Sequence, residues 1–280
     1  MAYRTDRHLK ILFLAVILTA SCAVNGGLFA EETAEKPLEK AAETSPKPEE
    51  HKAEESVSPE ITALQEYNKG VELFQVAQIQ AEKGNQKGQK TLLTEAIHHF
   101  EKALKLNAQL VEAQSNIGFA QLTLRKYSQA EASFKTALKL NPHHINTLNG
   151  LATTQALKGD LDQAVKTFDQ LLILIPDNPQ YWFNKGSVMQ RAGKADEAQK
   201  AYEKALALEP NDQRSLFNLA TLLHNQGQLM QAKPFYEKAK RISISNPIGL
   251  ECIHRLELIG QGPGQTTPES HSSSEVPAKP

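Results

Sequence analysis

The chain has 280 residues, and its 31 Lys and Arg almost balance its 32 Asp and Glu, which gives a net charge of −1. Because the charges are mixed in sign, the composition provides no field that would select nucleic acid or an anionic membrane surface. The length allows one folded body of roughly 200 residues with flexible ends. The two cysteines, Cys22 and Cys252, lie in very different contexts, so a stabilising disulfide is not expected.

Residues 1–30 have the features of an export signal. Three basic residues precede an uninterrupted apolar run at residues 11–18, as in secretory signals. The next four residues, Thr-Ala-Ser-Cys at 19–22, resemble a bacterial lipobox, although Thr19 stands where that pattern prefers leucine. The resemblance implies cleavage before Cys22 and lipid modification of its side chain.

Two other interpretations of this segment remain open. Ordinary cleavage after Ala23 or Ala30 would release a soluble exported protein. Alternatively, residues 11–30 would stay as an uncleaved anchor, since about 20 apolar residues span a bilayer. Each interpretation places the rest of the chain outside the cytoplasm or on a membrane, in the bacterial cell envelope.

Residues 31–60 form a low-complexity acidic segment. It contains ten Glu, four Lys and four Pro but only two large apolar residues, Leu38 and Val57. Such a segment cannot bury enough apolar surface to offset the entropy lost on ordering. We expect a disordered linker that serves as a spacer or as a docking tail for a basic partner.

An irregular unit is predicted at residues 63–110. Asn68, Gly70, Ala96 and Phe100 match positions 6, 8, 20 and 24 of the regular repeat described next, but 14 extra residues lie between Gly70 and Ala96. The apolar spacing suggests that the first helix of this unit simply runs on, before a turn at residues 84–88.

Residues 111–246 repeat themselves every 34 residues, in units 111–144, 145–178, 179–212 and 213–246. Apolar residues recur at helical spacing on both sides of a central break, so each unit is predicted to be two antiparallel helices. Small residues at positions 8 and 20 allow the two backbones to approach closely, and an aromatic residue at position 24 fills the space beside them. These positions and position 27 hold Gly118, Ala130, Phe134 and Ala137, then Ala152, Ala164, Phe168 and Leu171, then Gly186, Ala198, Tyr202 and Ala205, then Ala220, Ala232, Tyr236 and Ala239.

This pattern resembles the tetratricopeptide repeat (TPR) family. The resemblance implies an all-α fold, a superhelix of about five helix pairs whose first helices line a concave groove. It implies little about function, because TPR arrays are scaffolds for many unrelated assemblies.

A capping helix is predicted at residues 247–259. Pro247 suits a helix start, and Leu250, Ile253, Leu256 and Ile259 appear in the sequence as one apolar line. Such a helix would cover the last repeat, as the ends of solenoids require, with Cys252 as a small buried apolar residue. Residues 260–280 are rich in Gly, Pro, Ser and Thr, so a disordered tail is expected.

The sequence offers no catalytic, cofactor or metal site. Neighbouring histidines such as His98–His99 and His143–His144 point about 100° apart on a helix, so neither pair can hold one metal ion from one face. Neither the metalloprotease motif HExxH nor a CxxC pair occurs, and there is no nucleophile motif GxSxG. We therefore expect a protein that is not an enzyme.

The TPR resemblance implies candidate groove residues. Position 6 is Asn in four of the five units, and Asn149 stands next to the exception, Gly150. Asparagine offers a donor and an acceptor to the main chain of an extended peptide, and nearby aromatic residues could receive apolar side chains. The predicted groove residues are Tyr67, Asn68, Phe74, Asn116, Phe119, Asn149, Phe183, Asn184, Phe217 and Asn218.

These expectations combine into one functional hypothesis. The chain is predicted to be an envelope scaffold that binds protein or peptide partners, not nucleic acid, and helps to assemble a multiprotein complex. One alternative is a structural oligomer built by end-to-end contacts between arrays. A weaker alternative is a regulatory subunit of an envelope hydrolase.

Overall fold

The computed structural model describes residues 58–261, which form eleven α-helices and, within that range, no strand. The helices are α1 (Pro59–Glu82), α2 (Gln86–Leu106), α3 (Val111–Thr123), α4 (Tyr127–Leu140), α5 (Ile145–Lys158), α6 (Leu161–Leu174), α7 (Pro179–Arg191), α8 (Ala195–Leu208), α9 (Gln213–Asn225), α10 (Leu229–Ile242) and α11 (Pro247–Gln261). Across these helices there is none whose length and apolar character would let it cross a bilayer. The predicted export signal, Cys22, residues 31–57 of the linker and the tail from residue 262 lie outside the described residues.

The helices pack as a chain of five pairs followed by α11, which confirms the predicted all-α superhelix of paired helices. Each helix packs mainly on the helices before and after it in sequence. In the four regular units the first helices begin at Val111, Ile145, Pro179 and Gln213, 34 residues apart. The hydrophobic core therefore runs along the array between successive helices, as in solenoids.

Close contact between the two helices of a pair explains the repeated residue types. A Cβ atom added to Gly118 would lie 2.6 Å from the Phe134 ring, and one added to Gly186 would lie 2.8 Å from the Tyr202 ring. The aromatic residue at position 24 thus rests on the backbone of position 8. Ala164 at position 20 is completely buried, so it marks another site of tight packing.

The turns inside the pairs use a left-handed backbone conformation. Gly159, Gly193 and Gly227 have φ values of 102°, 74° and 77°, which glycine adopts without a steric penalty. The equivalent residue of the second unit is Arg125, with φ 59°. The predicted break between the two helices is therefore also made where glycine is missing.

The first pair is longer than the others. Helices α1 and α2 have 24 and 21 residues, against 13 and 14 in α3 and α4, so the first helix does run on. The turn is shorter than predicted, because the Asn85 side chain accepts a hydrogen bond from the Gly88 N–H at 3.0 Å and starts α2 at Gln86. Helix α1 starts at Pro59, where proline is favourable, so the last two residues assigned to the linker are helical.

The capping helix α11 extends two residues beyond its predicted end. Its buried line also differs from the prediction, because Leu250 is 56% exposed whereas Cys252 is fully buried. Residues three apart on a helix differ in direction by about 60°. The four residues of the predicted line therefore cannot all face the same neighbouring helix. The residues packed on the core are Ile248, Cys252, Leu256 and Ile259, and burial raises the pKa of the Cys252 thiol to about 11.

One side chain holds the C-terminal end of the array together. Gln213, at the start of α9, donates to the carbonyl of Ala239 in α10 at 2.8 Å and accepts from the Asn246 amide at 2.6 Å. Asn246 in turn accepts from the Gly249 N–H in the first turn of α11 at 2.7 Å. The ends of three helices are therefore joined through a single amide.

Candidate peptide-binding face

The first helix of each pair lines the inner face of the array. First helices of successive pairs contact each other, as α1 contacts α3, α3 contacts α5 and α7 contacts α9, whereas successive second helices approach each other less closely. The array therefore curves towards its first helices, and α1, α3, α5, α7 and α9 form a concave face. Elongated concave surfaces are the usual binding sites of solenoid proteins.

The predicted aromatic residues lie deeper in this face than the sequence suggests. Phe74, Phe119 and Phe183 are only 8%, 6% and 7% exposed, so they belong to the core and offer no open apolar surface. Phe119, for example, packs edge-on against Phe134 of α4, with ring centroids 4.9 Å apart. Two predicted aromatic residues are half-buried and keep accessible surface: Tyr67 and Phe217.

The predicted asparagines also differ in exposure. Asn68 is exposed, Asn116, Asn149 and Asn218 are half-buried, and Asn184 is only 1% exposed. Asn116 donates to the Tyr67 hydroxyl and Asn218 donates to the Tyr202 hydroxyl, both over a long 3.4 Å. The half-buried amides therefore have weak internal contacts that a ligand could replace, whereas Asn184 is part of the interior.

A polar network joins α7 to α9 on this face. Arg214 donates through Nη2 to Gln180 Oε1 at 2.6 Å and through Nε to Asp212 at 3.2 Å. Gln180 Nε2 donates in turn to Asn184 Oδ1 at 2.7 Å. The Arg214 guanidinium also lies 4.9 Å from the centre of the Phe183 ring, a favourable cation–π contact.

Arg214 fixes the orientation of both amides in this network. Since arginine is only a donor, the Gln180 oxygen must face it and the Gln180 nitrogen must face Asn184. Asn184 then has to present its oxygen to Gln180, which leaves its NH₂ group pointing elsewhere. The amide orientations therefore follow from which groups can donate and which can accept.

Buried polar atoms without a hydrogen-bond partner are concentrated on three concave helices. Within residues 58–261 they all belong to α5, α7 and α9, the first helices of the third, fourth and fifth pairs. They are Asn149 Oδ1, Thr153 Oγ1, Asn184 Nδ2, Arg214 Nη1 and His224 Nδ1. Burial, and secondarily Arg255, lowers the pKa of His224, so its ring is neutral at neutral pH. Such groups are costly unless something bonds to them.

Sequence reasoning missed Gln180, Thr153 and His224 as members of this face. They occupy positions 2, 9 and 12 of their units. Positions 2 and 12 hold unrelated residue types in the other units, and position 9 is Thr or Ser only in the last three units, so periodicity gave little signal. Leu64, at position 2 of the first unit, was also missed and is 55% exposed. Their positions within the units could have identified them, because positions 2, 5, 6, 9 and 12 lie on one side of the first helix.

Two of the described histidines, His99 and His144, contact a neighbouring polar side chain. The Nδ1 atom of His99 lies 2.6 Å from Glu66 Oε2, and this contact lowers the pKa of Glu66. The Nδ1 atom of His144 lies 2.6 Å from the Thr147 hydroxyl. Over residues 58–261 no three His, Cys, Asp or Glu side chains come together as metal ligands would.

The paired helices and the polar residues on the concave face define the class of protein: a helical solenoid with a candidate binding surface on its inner side. Two family models match the chain. One is described as tetratricopeptide repeat and matches residues 116–179. The other is the middle TPR-like domain of cilia and flagella-associated protein 70 and matches residues 148–251. These matches support the tetratricopeptide repeat family for residues 116–251, and neither is to an enzyme family.

Solved structures show the same fold. MamA, residues 41 to the end, from Desulfovibrio magneticus RS-1 is 16% identical, with 64% of this chain and 98% of that chain covered and a TM-score of 0.54. YrrB, described as a TPR protein with an unusual peptide-binding site, is 17% identical, with 70% and 97% coverage and a TM-score of 0.53. No curated protein sequence matches the chain. At these identities the similarity concerns the fold alone.

Proposed function

We propose that this protein is a non-enzymatic interaction scaffold of the cell envelope, which binds an extended protein segment on its concave face and helps to assemble a complex. One observation carries the proposal: Asn116 and Asn218 are half-buried on the concave face, and each has only a long internal hydrogen bond of 3.4 Å that a ligand could replace. Together they provide acceptors and donors, the chemistry that the main chain of a peptide requires.

Apolar and charged groups at the ends of this face would complement the polar centre. Leu64 is 55% exposed, and Tyr67 and Phe217 are half-buried, so each end has a place for an apolar side chain. The Arg214 side chain is 26% exposed and is held by Gln180 and Asp212. The description of YrrB as a TPR protein with a peptide-binding site is consistent with such a role.

Photocrosslinking from the two faces of the array tests this proposal. A photoreactive residue placed at Asn116 or Asn218, half-buried on the concave face, should trap the same partner in the native host. The same residue at Gln129 of α4 or Gln170 of α6, exposed on second helices, should not. Asn116→Ala combined with Asn218→Ala should weaken binding of that partner by about 1–3 kcal/mol, from two hydrogen bonds of roughly 0.5–1.5 kcal/mol each.

Two outcomes would contradict the groove hypothesis. Equal trapping from Gln129 and Gln170 would place the partner on the second helices. A product with twice the mass of the chain would support self-assembly, the second candidate function. That candidate is favoured by Leu250 and Leu258, 56% and 46% exposed and two turns apart on the terminal helix α11.

The envelope location depends on the N-terminal segment and has its own test. If Cys22 is lipidated, the wild-type protein should incorporate labelled palmitate and sediment with membranes, because a lipid chain anchors the protein to a bilayer. Cys22→Ser should abolish the label. Wild-type protein that stays unlabelled and soluble would exclude the lipoprotein interpretation.

A further inference from the structure

A pocket of about 310 Å³ lies between the last repeat and the capping helix. It is lined by Lys233, Glu237, Lys240 and Arg241 of α10 and by Leu256 of α11. Helix α10 is the second helix of its pair, so the pocket is separate from the concave face formed by the first helices. The walls are three cationic side chains, one carboxylate and one apolar side chain.

Among the described residues, no carboxylate forms an ion pair with the three cations of this pocket. Throughout residues 58–261, Lys233, Lys240 and Arg241 make no ion pair, although Glu237 is four residues from two of them, a spacing that permits pairing. On the facing helix α11, Glu251 is already bound by Arg255 at 2.8 Å. The pocket therefore has an excess of positive charge that neighbouring side chains do not neutralise.

Several cations elsewhere in the array are paired. Glu131 binds Lys135 and Lys158 at 2.6 and 2.9 Å, and these contacts lower its pKa. Lys185 binds Asp169 at 2.6 Å. Other second helices also carry lysines that form no ion pair within residues 58–261, such as Lys166, Lys200 and Lys204, so the distinguishing feature of the pocket is that three cations line one space.

Lys240 departs from the repeat pattern. It occupies position 28, where the four preceding units all have leucine: Leu104, Leu138, Leu172 and Leu206. Those leucines pack against the hydrophobic core. In those four units the helix packing uses an apolar residue at this position, whereas the lysine of the fifth unit adds charge where α11 leaves an open space.

The spacing of the cations indicates an extended ligand. Lys233 and Lys240 are two helical turns apart, about 10.5 Å along the axis. Side chains on one face of an extended peptide recur every ~6.6–6.8 Å, so two or three acidic residues cover this distance, whereas a single small anion covers only part of it. Leu256 gives an apolar wall for one uncharged side chain of the ligand.

We propose that the pocket between α10 and α11 binds an acidic peptide segment of a partner protein, through Lys233, Lys240 and Arg241, with an apolar side chain against Leu256. The site is a second contact surface, independent of the concave face. A scaffold with two such surfaces can hold two segments at once.

The test uses the purified full-length protein and a fluorescent peptide made of three Glu-Glu-Leu-Glu units. The triple variant Lys233→Gln, Lys240→Gln, Arg241→Gln should bind this peptide roughly tenfold more weakly, as expected for three exposed charge pairs. The matched control, Lys166→Gln, Lys200→Gln, Lys204→Gln, removes three exposed lysines of α6 and α8 and changes the net charge equally. It should bind like the wild-type protein.

Lys240→Leu separates binding from folding. Because it restores the leucine of the other units, the melting temperature should be equal to or higher than that of the wild-type protein. Peptide binding should nevertheless become several-fold weaker. Binding that is unchanged in this variant would exclude Lys240 from the site.

Other results would overturn the proposal. Equal weakening by the triple variant and its control would mean that only net charge matters, and undiminished binding of a Gln-Gln-Leu-Gln peptide would mean that the acidic groups do not matter. Pocket-dependent binding of inorganic phosphate or of phosphatidylglycerol vesicles, without binding of the acidic peptide, would assign the pocket to a small anion or to a membrane.

Discussion

Ala164→Leu is expected to lower the free energy of unfolding by about 1–3 kcal/mol or more, as overpacking of a tight core does. Ala164 is completely buried, as are Ala152 of the partner helix α5 and Phe168 one turn further along α6. The extra side-chain atoms could be accommodated only by moving one helix away from the other. Since each pair is stabilised by its neighbours, the adjacent units should also lose stability.

Chemical and thermal denaturation followed by circular dichroism would measure this loss. Gln163→Leu is the matched control, because it places the same side chain one residue away at an exposed position of α6. The control should change stability little. If Ala164→Leu melted within about a degree of the wild-type protein, the assigned 34-residue register would be wrong.

Gly150→Asn is expected to destabilise the protein, although it restores the residue that position 6 has in the other four units. A Cβ atom at Gly150 would lie 2.6 Å from Phe134 Cζ and 3.0 Å from Phe119 Cε1. Phe134 is completely buried and cannot swing away. Replacing glycine inside a helix gains up to ~1 kcal/mol in propensity, but overpacking costs about 1–3 kcal/mol, so the steric term should dominate.

A double-mutant cycle would identify the cause of this loss. Phe119→Leu removes one of the two rings that the new side chain meets, so Gly150→Asn should cost less in that background. The same cost in both backgrounds would show that the Phe119 ring is not the obstacle. The stabilities would be compared by urea denaturation.

The periodic features of this fold were predictable from the sequence. The spacing of 34 residues gave the paired helices, and the fixed small and aromatic positions gave their close contact, because these depend on local helix geometry. The run-on of α1 also followed from spacing. The sequence also showed that Gly150 replaces the asparagine found at position 6 of the other units. It did not show the cause, which is the packing of the Phe134 and Phe119 rings against this position.

How deeply each residue of the concave face is buried was not predictable from the repeat pattern. Asn184 and Asn218 share one unit position, yet the first is 1% exposed and the second is half-buried. The difference depends on Gln180 and Arg214, which cover Asn184 from its own helix and from the next. Position 2 holds a different residue type in each unit. The repeat pattern therefore does not indicate which side chain covers the residue at position 6.

The Gln213 amide has a further consequence for how the C-terminal end opens. Terminal helices of solenoids fray independently when only side-chain packing holds them. Here the same amide bonds to Ala239 in α10 and to Asn246, which directly precedes α11, so removing this amide would loosen both the cap and the last turn of α10. The cap α11 and the last turn of α10 are therefore expected to open together rather than one at a time.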